Sequence, residues 1–218
     1  MTDKPRKNPL HSAKSCEHGS PVNGVELGRY ALGRIDLDPM SSAYWNHHVV
    51  RAAQFFDRRV DGLKQPWSGT VWINPPGADE DAKSDNLVRE CWDKLVEHWR
   101  AGDVEGAIWW GYSLEQLQAL QLGGRAWHPL RCVTLILAGR PRHQVRPKSD
   151  GPPVLGVQPM HGGYCTLLAS VRFHSVAQQQ IDRFIERGRS LGAIVRPMAM
   201  PATTNQGRGT TRAPSPSP

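Results

Sequence analysis

Paired cysteines are missing from this chain. Cys16, Cys91, Cys132 and Cys165 share no ligand-pair spacing, which argues against a zinc ribbon or a disulfide scaffold. Three of them sit in apolar runs, where a cysteine serves as a small hydrophobe, and a reducing compartment is expected. Cys16 with His11 and His18 comes nearest to a ligand set, but it lacks a second paired half, so no metal is expected. Long hydrophobic runs are missing too. Nothing approaches the ~20 apolar residues of a membrane span, and the polar N-terminus has no signal-peptide core. A soluble, cytoplasmic protein is expected. Acidic charge is in short supply: 20 Asp and Glu stand against 27 Lys and Arg, a net charge of +7, which favours a polyanionic partner such as nucleic acid. Gly24, Gly28 and Gly33 do not compose a Gly-x-Gly-x-x-Gly fingerprint, and no internal repeat is visible.

With 218 residues, the chain has room for one sizeable core. Residues 1–20 read as a flexible basic leader. Residues 200–218, rich in Pro, Thr, Ser, Gly and Arg, read as a disordered tail. Between them, residues 21–199 are expected to form a single α/β domain of the three-layer, Rossmann-like kind with a largely parallel sheet, because strand and helix patterns alternate. A short helix or turn is expected over 22–32, a strand over 34–38 and a helix within 40–56. The clearest helix follows at Leu87, Cys91, Leu95 and Trp99, an apolar seam at steps of four that Gly102 ends. Strands are read at 104–110, 132–137 and 164–171. Ser113 and Gln116 form a capping box for a short helix. A further helix is capped at Ser175, and residues 193–195 suit an edge strand. Residues 139–163 read as a long irregular connection.

Three polar features punctuate the first half. The strand Thr70-Val71-Trp72-Ile73 runs into Asn74-Pro75-Pro76, where each proline restricts the residue before it to extended geometry and offers no N–H. The Asn74 carboxamide and the carbonyls of Asn74 and Pro75 then face the strand's C-terminal end, the edge where open α/β sheets bind ligands. Such acceptors suit an amino group; the alternative is a plain Pro-Pro strand terminator. An acid closing a strand, Asp38 or Asp36, suits ribose hydroxyls, since a carboxylate accepts both at once. For Asp38 the alternative is an N-cap ahead of Pro39. Asp61 is placed to accept an adenine amine or simply belongs to a common Asp-Gly turn. Arg140, Arg142, Arg146 and Lys148 cluster on the connection after residue 139, suited to phosphate contacts or to a solvated face.

Taken in order, Ile35-Asp36-Leu37-Asp38-Pro39, Phe55-Phe56, Asp61-Gly62-Leu63, Trp67-Ser68-Gly69 and Val71-Trp72-Ile73-Asn74-Pro75-Pro76 resemble the Dam-type phage DNA N-6-adenine methyltransferase family. The similarity extends more weakly through Trp92-Asp93-Lys94-Leu95-Val96, Gly111-Tyr112-Ser113-Leu114 and Gly139-Arg140, over roughly residues 34–172. It implies methyl transfer from S-adenosylmethionine to the exocyclic amine of adenine in DNA, in a bacterial host or from a phage genome. By that likeness Asn74 and Pro75 would accept the amine's hydrogens beside Pro76, Asp38 would hold the ribose and Asp61 the cofactor adenine. Members of the family commonly carry an aromatic ring after Asn-Pro-Pro to stack on the flipped base. Here that position is Gly77, leaving Tyr44, Trp45 and Tyr112 as alternatives. Two other readings stay open: a DNA-binding protein on the same scaffold without turnover, and a methylase of another planar amine such as a glutamine side chain.

Overall fold

A computed structural model describes residues 19–76, 87–117, 132–149, 151–156 and 162–195. In chain order the elements are α1 (Val22–Leu32), β1 (Leu37–Asp38), α2 (Ala43–Trp45), β2 (Gln54–Phe55), β3 (Gly69–Ile73), α3 (Leu87–Ala101), β4 (Val104–Gly111), β5 (Cys132–Leu137), β6 (Gln144–Val145), β7 (Val154–Leu155), β8 (Tyr164–Leu168), α4 (His174–Gly188) and β9 (Gly192–Val195). Seven strands share one sheet in the order β2-β1-β3-β4-β8-β5-β9, and β6 and β7 pair separately. The pairings from β2 through β4 are parallel. Those of β8 with β4, β8 with β5 and β9 with β5 are antiparallel. The result is a mixed α/β sheet compatible with a Rossmann-like fold, parallel in one half only.

Side chains alternate across a strand, and here the alternation divides the core. Trp72, Ile108, Trp110, Leu135 and Cys165 join Val25, Leu27 and Ala31 of α1 and Ala177, Ile181 and Phe184 of α4 in one apolar cluster. Val71, Ile73, Ala107, Trp109 and Tyr164 join Cys91, Trp92, Leu95, Val96 and Trp99 of α3 in another. The seam expected on α3 is thus the buried face of that helix. Gly24 and Gly28 have a packing role: a Cβ at Gly24 would stand 2.4 Å from the Trp110 ring, and one at Gly28 2.9 Å from the Trp72 ring. Burial pushes the Cys91 thiol up to about 12 and raises that of Cys165 as well, consistent with cysteines that act as core hydrophobes.

Four local expectations need correction. Residues 40–56 do not form one helix. Ser42 Oγ accepts from Trp45 N–H to start α2, a π-helical turn over Asn46–Val50 follows, and the Asn46 carboxamide then binds both Ala52 N–H (2.8 Å) and Ala52 C=O (3.1 Å). That side chain competes with the helix for backbone partners and turns the chain out into β2. The irregular stretch after 139 contains the β6–β7 hairpin. Helix α4 begins at His174 with no side-chain cap from its flanking residue; Ser170 Oγ, not Ser175, accepts from Phe173 N–H. Finally, the leader is anchored before residue 21. Gly19 exchanges backbone hydrogen bonds with Gln144, and Ser20 Oγ accepts from Trp72 Nε1 at 3.0 Å. The remainder of the leader, the tail, Gly77 and the trio His11, Cys16 and His18 lie outside the described residues.

Candidate functional site

From β1 the chain steps to β2 on one side and then returns to β3 on the other. The strand order therefore reverses between β1 and β3, and in open α/β sheets the crevice at such a switch point, beyond the C-terminal strand ends, receives ligands. Asp38 closes β1 and Asn74 follows β3 directly, about one strand spacing (~4.8 Å) apart laterally. Asn74 shares parity with Trp72 on β3 and is half-buried, and no described residue hydrogen-bonds its carboxamide. Pro75 is buried beside it, so the backbone presents acceptors without competing donors.

Asp38 is only 3% exposed. Its Oδ1 accepts from Met40 N–H at 3.3 Å. Burial drives its pKa up to about 7, against the pull of the Ser41 hydroxyl and the Met40 N–H. The Ser41 hydroxyl is itself buried and meets no partner at full hydrogen-bonding geometry. Among the described residues, then, this edge carries a buried carboxyl with one full hydrogen bond and a buried hydroxyl with none. Sequence reading passed over Ser41 because it fell within the expected helix over 40–56.

The Asp-Gly turn is docked onto the same edge. A Cβ at Gly62 would meet the Pro39 carbonyl oxygen at 2.0 Å, so only glycine lets the turn approach this closely. Trp67 Nε1 donates to Gly62 O at 2.8 Å and pins it from behind. Asp61, at φ +55°, accepts from Leu63 N–H at 3.2 Å and pairs with Lys64 at 2.8 Å. The Lys64 ammonium holds its carboxyl below the usual range, keeping an ionised acceptor beside the Asp38 edge.

Asp36 belongs elsewhere. It precedes β1, and its Oδ2 accepts from Thr70 N–H (2.8 Å) and the Thr70 hydroxyl (2.9 Å), while Oδ1 pairs with Arg34 Nε at 2.6 Å. It ties the starts of β1 and β3 together, at the edge opposite the switch point. Of the two strand acids, only Asp38 reaches the candidate site.

Beyond β4, Ser113 Oγ accepts from Gln116 N–H at 3.0 Å, the cap expected from sequence. Tyr164 OH accepts from Trp109 Nε1 at 3.0 Å and donates to Gln116 Oε1 at 3.3 Å. Burial raises the Tyr112 hydroxyl's pKa, against a hydrogen bond from the Gln116 side chain. The basic connection after β5 folds toward the same edge. Arg146 rests 4.5 Å over the Tyr44 ring, and Tyr44 OH donates to Gly151 O at 2.8 Å. Arg142 and Lys148 are exposed. Arg140 and Arg142 line an open pocket of about 390 Å³ with Pro21, Val22, Trp110 and Leu137.

No helix among the described residues is long and apolar enough to cross a membrane. No protein-family model matches the chain, and no curated protein matches it.

Proposed function

We propose that this chain is an S-adenosylmethionine-dependent methyltransferase acting on the exocyclic amine of adenine in DNA. The observation that carries the proposal is the pairing of Asn74-Pro75-Pro76 with Asp38 across the switch point. An amine acceptor and a ribose acceptor then flank one crevice, in the order of the family resemblance. We read the two apolar clusters of opposite strand parity as two faces of one three-layer, single-domain fold, which seats that crevice on a rigid sheet edge.

The residues fit the cofactor in kind. The buried Asp38 carboxyl and Ser41 hydroxyl, which among the described residues share one full hydrogen bond, from Met40 N–H to Asp38, suit a vicinal diol. Asp61 on its docked turn offers an acceptor for an adenine amine. When bound, S-adenosylmethionine supplies a sulfonium-activated methyl group, so the protein's task is alignment more than acid–base chemistry. Asn74 Oδ1 and the Pro75 carbonyl accept the two amine hydrogens, concentrate electron density on the nitrogen and aim its lone pair. The fixed prolines make that geometry rigid before the substrate arrives. Reaching this edge requires a duplex adenine to flip out, at a cost of a few kcal/mol, which the basic connection of Arg140, Arg142, Arg146 and Lys148 helps to offset by binding phosphates. The net charge of +7 favours DNA over a small-molecule or protein amine as substrate. A cytoplasmic location follows from that substrate.

Incubating the purified chain with S-adenosylmethionine and unmethylated DNA, then digesting the DNA for mass spectrometry, tests the reading directly. N-6-methyladenine is expected, with Asn74→Ala reducing its rate by at least about a hundredfold, as when other preorganised polar groups facing a reacting centre are removed. Retained DNA binding without product would leave a binding scaffold in place of an enzyme. Equal product from Asn74→Ala would overturn the amine clamp.

A further inference from the structure

We propose that the recess between the start of α1, the ends of β4 and β5 and the β6–β7 hairpin binds a small organic anion, a terminal carboxylate or phosphate carried on an apolar body. Neither Asp38 nor Asn74 lines this recess. It is a second site, and its assignment does not depend on the methyltransferase reading.

The key side chain is Gln144. It is only 7% exposed, yet it lines the recess, and no described residue hydrogen-bonds its carboxamide. Two backbone hydrogen bonds with Gly19, at 2.9 and 3.0 Å, hold the residue in place. A buried carboxamide without a partner is costly unless a ligand fills the space before it. Its neighbours specify which ligand. Helix α1 starts at this recess with Val22 and Asn23, and it has neither a side-chain cap from Pro21 nor an acid in its first turn. The N–H groups of those two residues find no acceptor within the helix, and the helix dipole adds positive potential there. Arg140 and Arg142, both exposed, bring two guanidinium groups to the same recess. No described residue lining it is acidic. Donors and positive charge therefore converge, as a terminal oxyanion requires.

The walls call for an apolar body behind that charge. Trp110, Leu137 and Leu191 line the recess beside Val22 and Leu155, which are 46% and 63% exposed. Large apolar side chains left open to water gain when a ligand covers them. Trp110 Nε1 adds an enclosed N–H that has no acceptor among the described residues. The volume of about 390 Å³ suits a molecule of metabolite size. Arg140 and Arg142 are also the residues read above as phosphate contacts, so a free anion has to be told from DNA. A backbone phosphate is flanked by a sugar on each side. It cannot push a terminal oxyanion into a recess, and it brings no apolar body to these walls.

The test is titration of the full chain with hexanoate and hexyl phosphate, against hexanol, hexylamine and inorganic phosphate as controls, followed in nitrogen–proton NMR correlation spectra. Both amphipathic anions should move the Gln144 side-chain amide and the Val22 and Asn23 backbone amides saturably, and bind at least about tenfold more tightly than any control, the change expected from one charge-assisted hydrogen bond. Gln144→Leu should weaken binding about ten- to hundredfold while keeping both backbone bonds to Gly19. Asn23→Asp, which sets a negative charge in the recess without touching the hairpin, should do the same and stands in if Gln144→Leu fails to fold. Binding no tighter than that of inorganic phosphate, or binding indifferent to these substitutions, overturns the assignment. So does S-adenosylmethionine moving the same signals, which gives the recess to the cofactor, or a DNA duplex moving the Gln144 amide, which gives it to DNA. A chain that makes no N-6-methyladenine yet binds hexanoate in this way loses the functional reading and keeps this site.

Discussion

The two edges of the sheet treat polar groups in opposite ways. At the edge where the parallel strands begin, hydrogen bonds close on one another: Asp36 binds Thr70 and Arg34, Gln180 binds Ser170 N–H and Glu105 C=O, and His98 Nδ1 meets Asp103 at 3.2 Å. At the edge where those strands end, Asp38, Ser41 and Asn74 are buried or half-buried, and among the described residues Asp38 has one full hydrogen bond, from Met40 N–H, while the Ser41 hydroxyl and the Asn74 carboxamide have none. A folded protein meets the cost of buried, unsatisfied polar groups where they serve a purpose. The two acids of β1 and its lead-in, two residues apart, show the difference in miniature. Thr70 and Arg34 hold the Asp36 carboxyl below its ordinary range against the opposing effect of burial, whereas burial lifts Asp38 to about 7.

The largest effect expected from this contrast is on stability against pH. Asp38 binds its proton in the folded state up to about pH 7 but releases it near pH 4 when unfolded. The folded chain therefore holds more protons across that window, and stability falls as pH rises from about 4 to 7. Asp36 has the opposite sign: its contribution is present above about pH 4 and is lost as pH falls through its lowered folded value. Urea midpoints measured from about pH 4 to 8 should lose their downward slope in Asp38→Asn, which keeps the acceptor for Met40 N–H and removes the charge. The same substitution should raise the KM for S-adenosylmethionine severalfold above about pH 7, where the ionised carboxylate is the better acceptor for two hydroxyls. An unchanged slope would show that Asp38 is not the buried acid of this edge.

Smaller is the effect of opening the other edge. Asp36→Ala strands the Thr70 N–H, leaves the Thr70 hydroxyl only the Arg34 carbonyl as acceptor, and should destabilise the chain by about 1–3 kcal/mol, read from chemical denaturation at neutral pH. The KM for S-adenosylmethionine should stay unchanged. A raised cofactor KM in Asp36→Ala would break the division between a closed, structural edge and an open, functional one.

The closed edge and the core were the more legible parts of the chain. The α3 seam follows from the helical period, and the strands β3, β4, β5 and β8 from continuous apolar runs, since burial writes itself into composition. Asp36 and Asp38 were indistinguishable in sequence because their difference lies in Thr70, a partner 34 residues away from Asp36. The π-helical turn after Trp45 was hidden because Asn46 acts through a side-chain bond to Ala52 that no periodicity records. The β6–β7 hairpin has strands of two residues, too short for alternation to register. Beyond β4, the parallel pattern gives way because β8 enters between β4 and β5, a choice of pairing that local sequence does not state. Asn74-Pro75-Pro76 was legible because proline fixes the backbone whatever the tertiary context.

The basic connection extends the comparison to long-range charge, with the smallest effect. Arg142 is exposed on the edge that carries the site, while Arg146 is partly committed to the Tyr44 ring. Removing one guanidinium that neutralises a phosphate should lower DNA affinity modestly and reduce the slope of log K against log salt concentration by roughly one for a duplex. Arg142→Ala should do only that. Arg146→Ala should also lower thermal stability, because a cation over an aromatic face contributes about 0.5–1 kcal/mol to folding at an exposed position, and Tyr44 ties the connection to α2. Titrations of a labelled duplex over a series of salt concentrations separate the two variants. A slope unchanged in Arg142→Ala would place phosphate binding away from this connection and leave the open edge defined by Asp38, Asn74 and their neighbours alone.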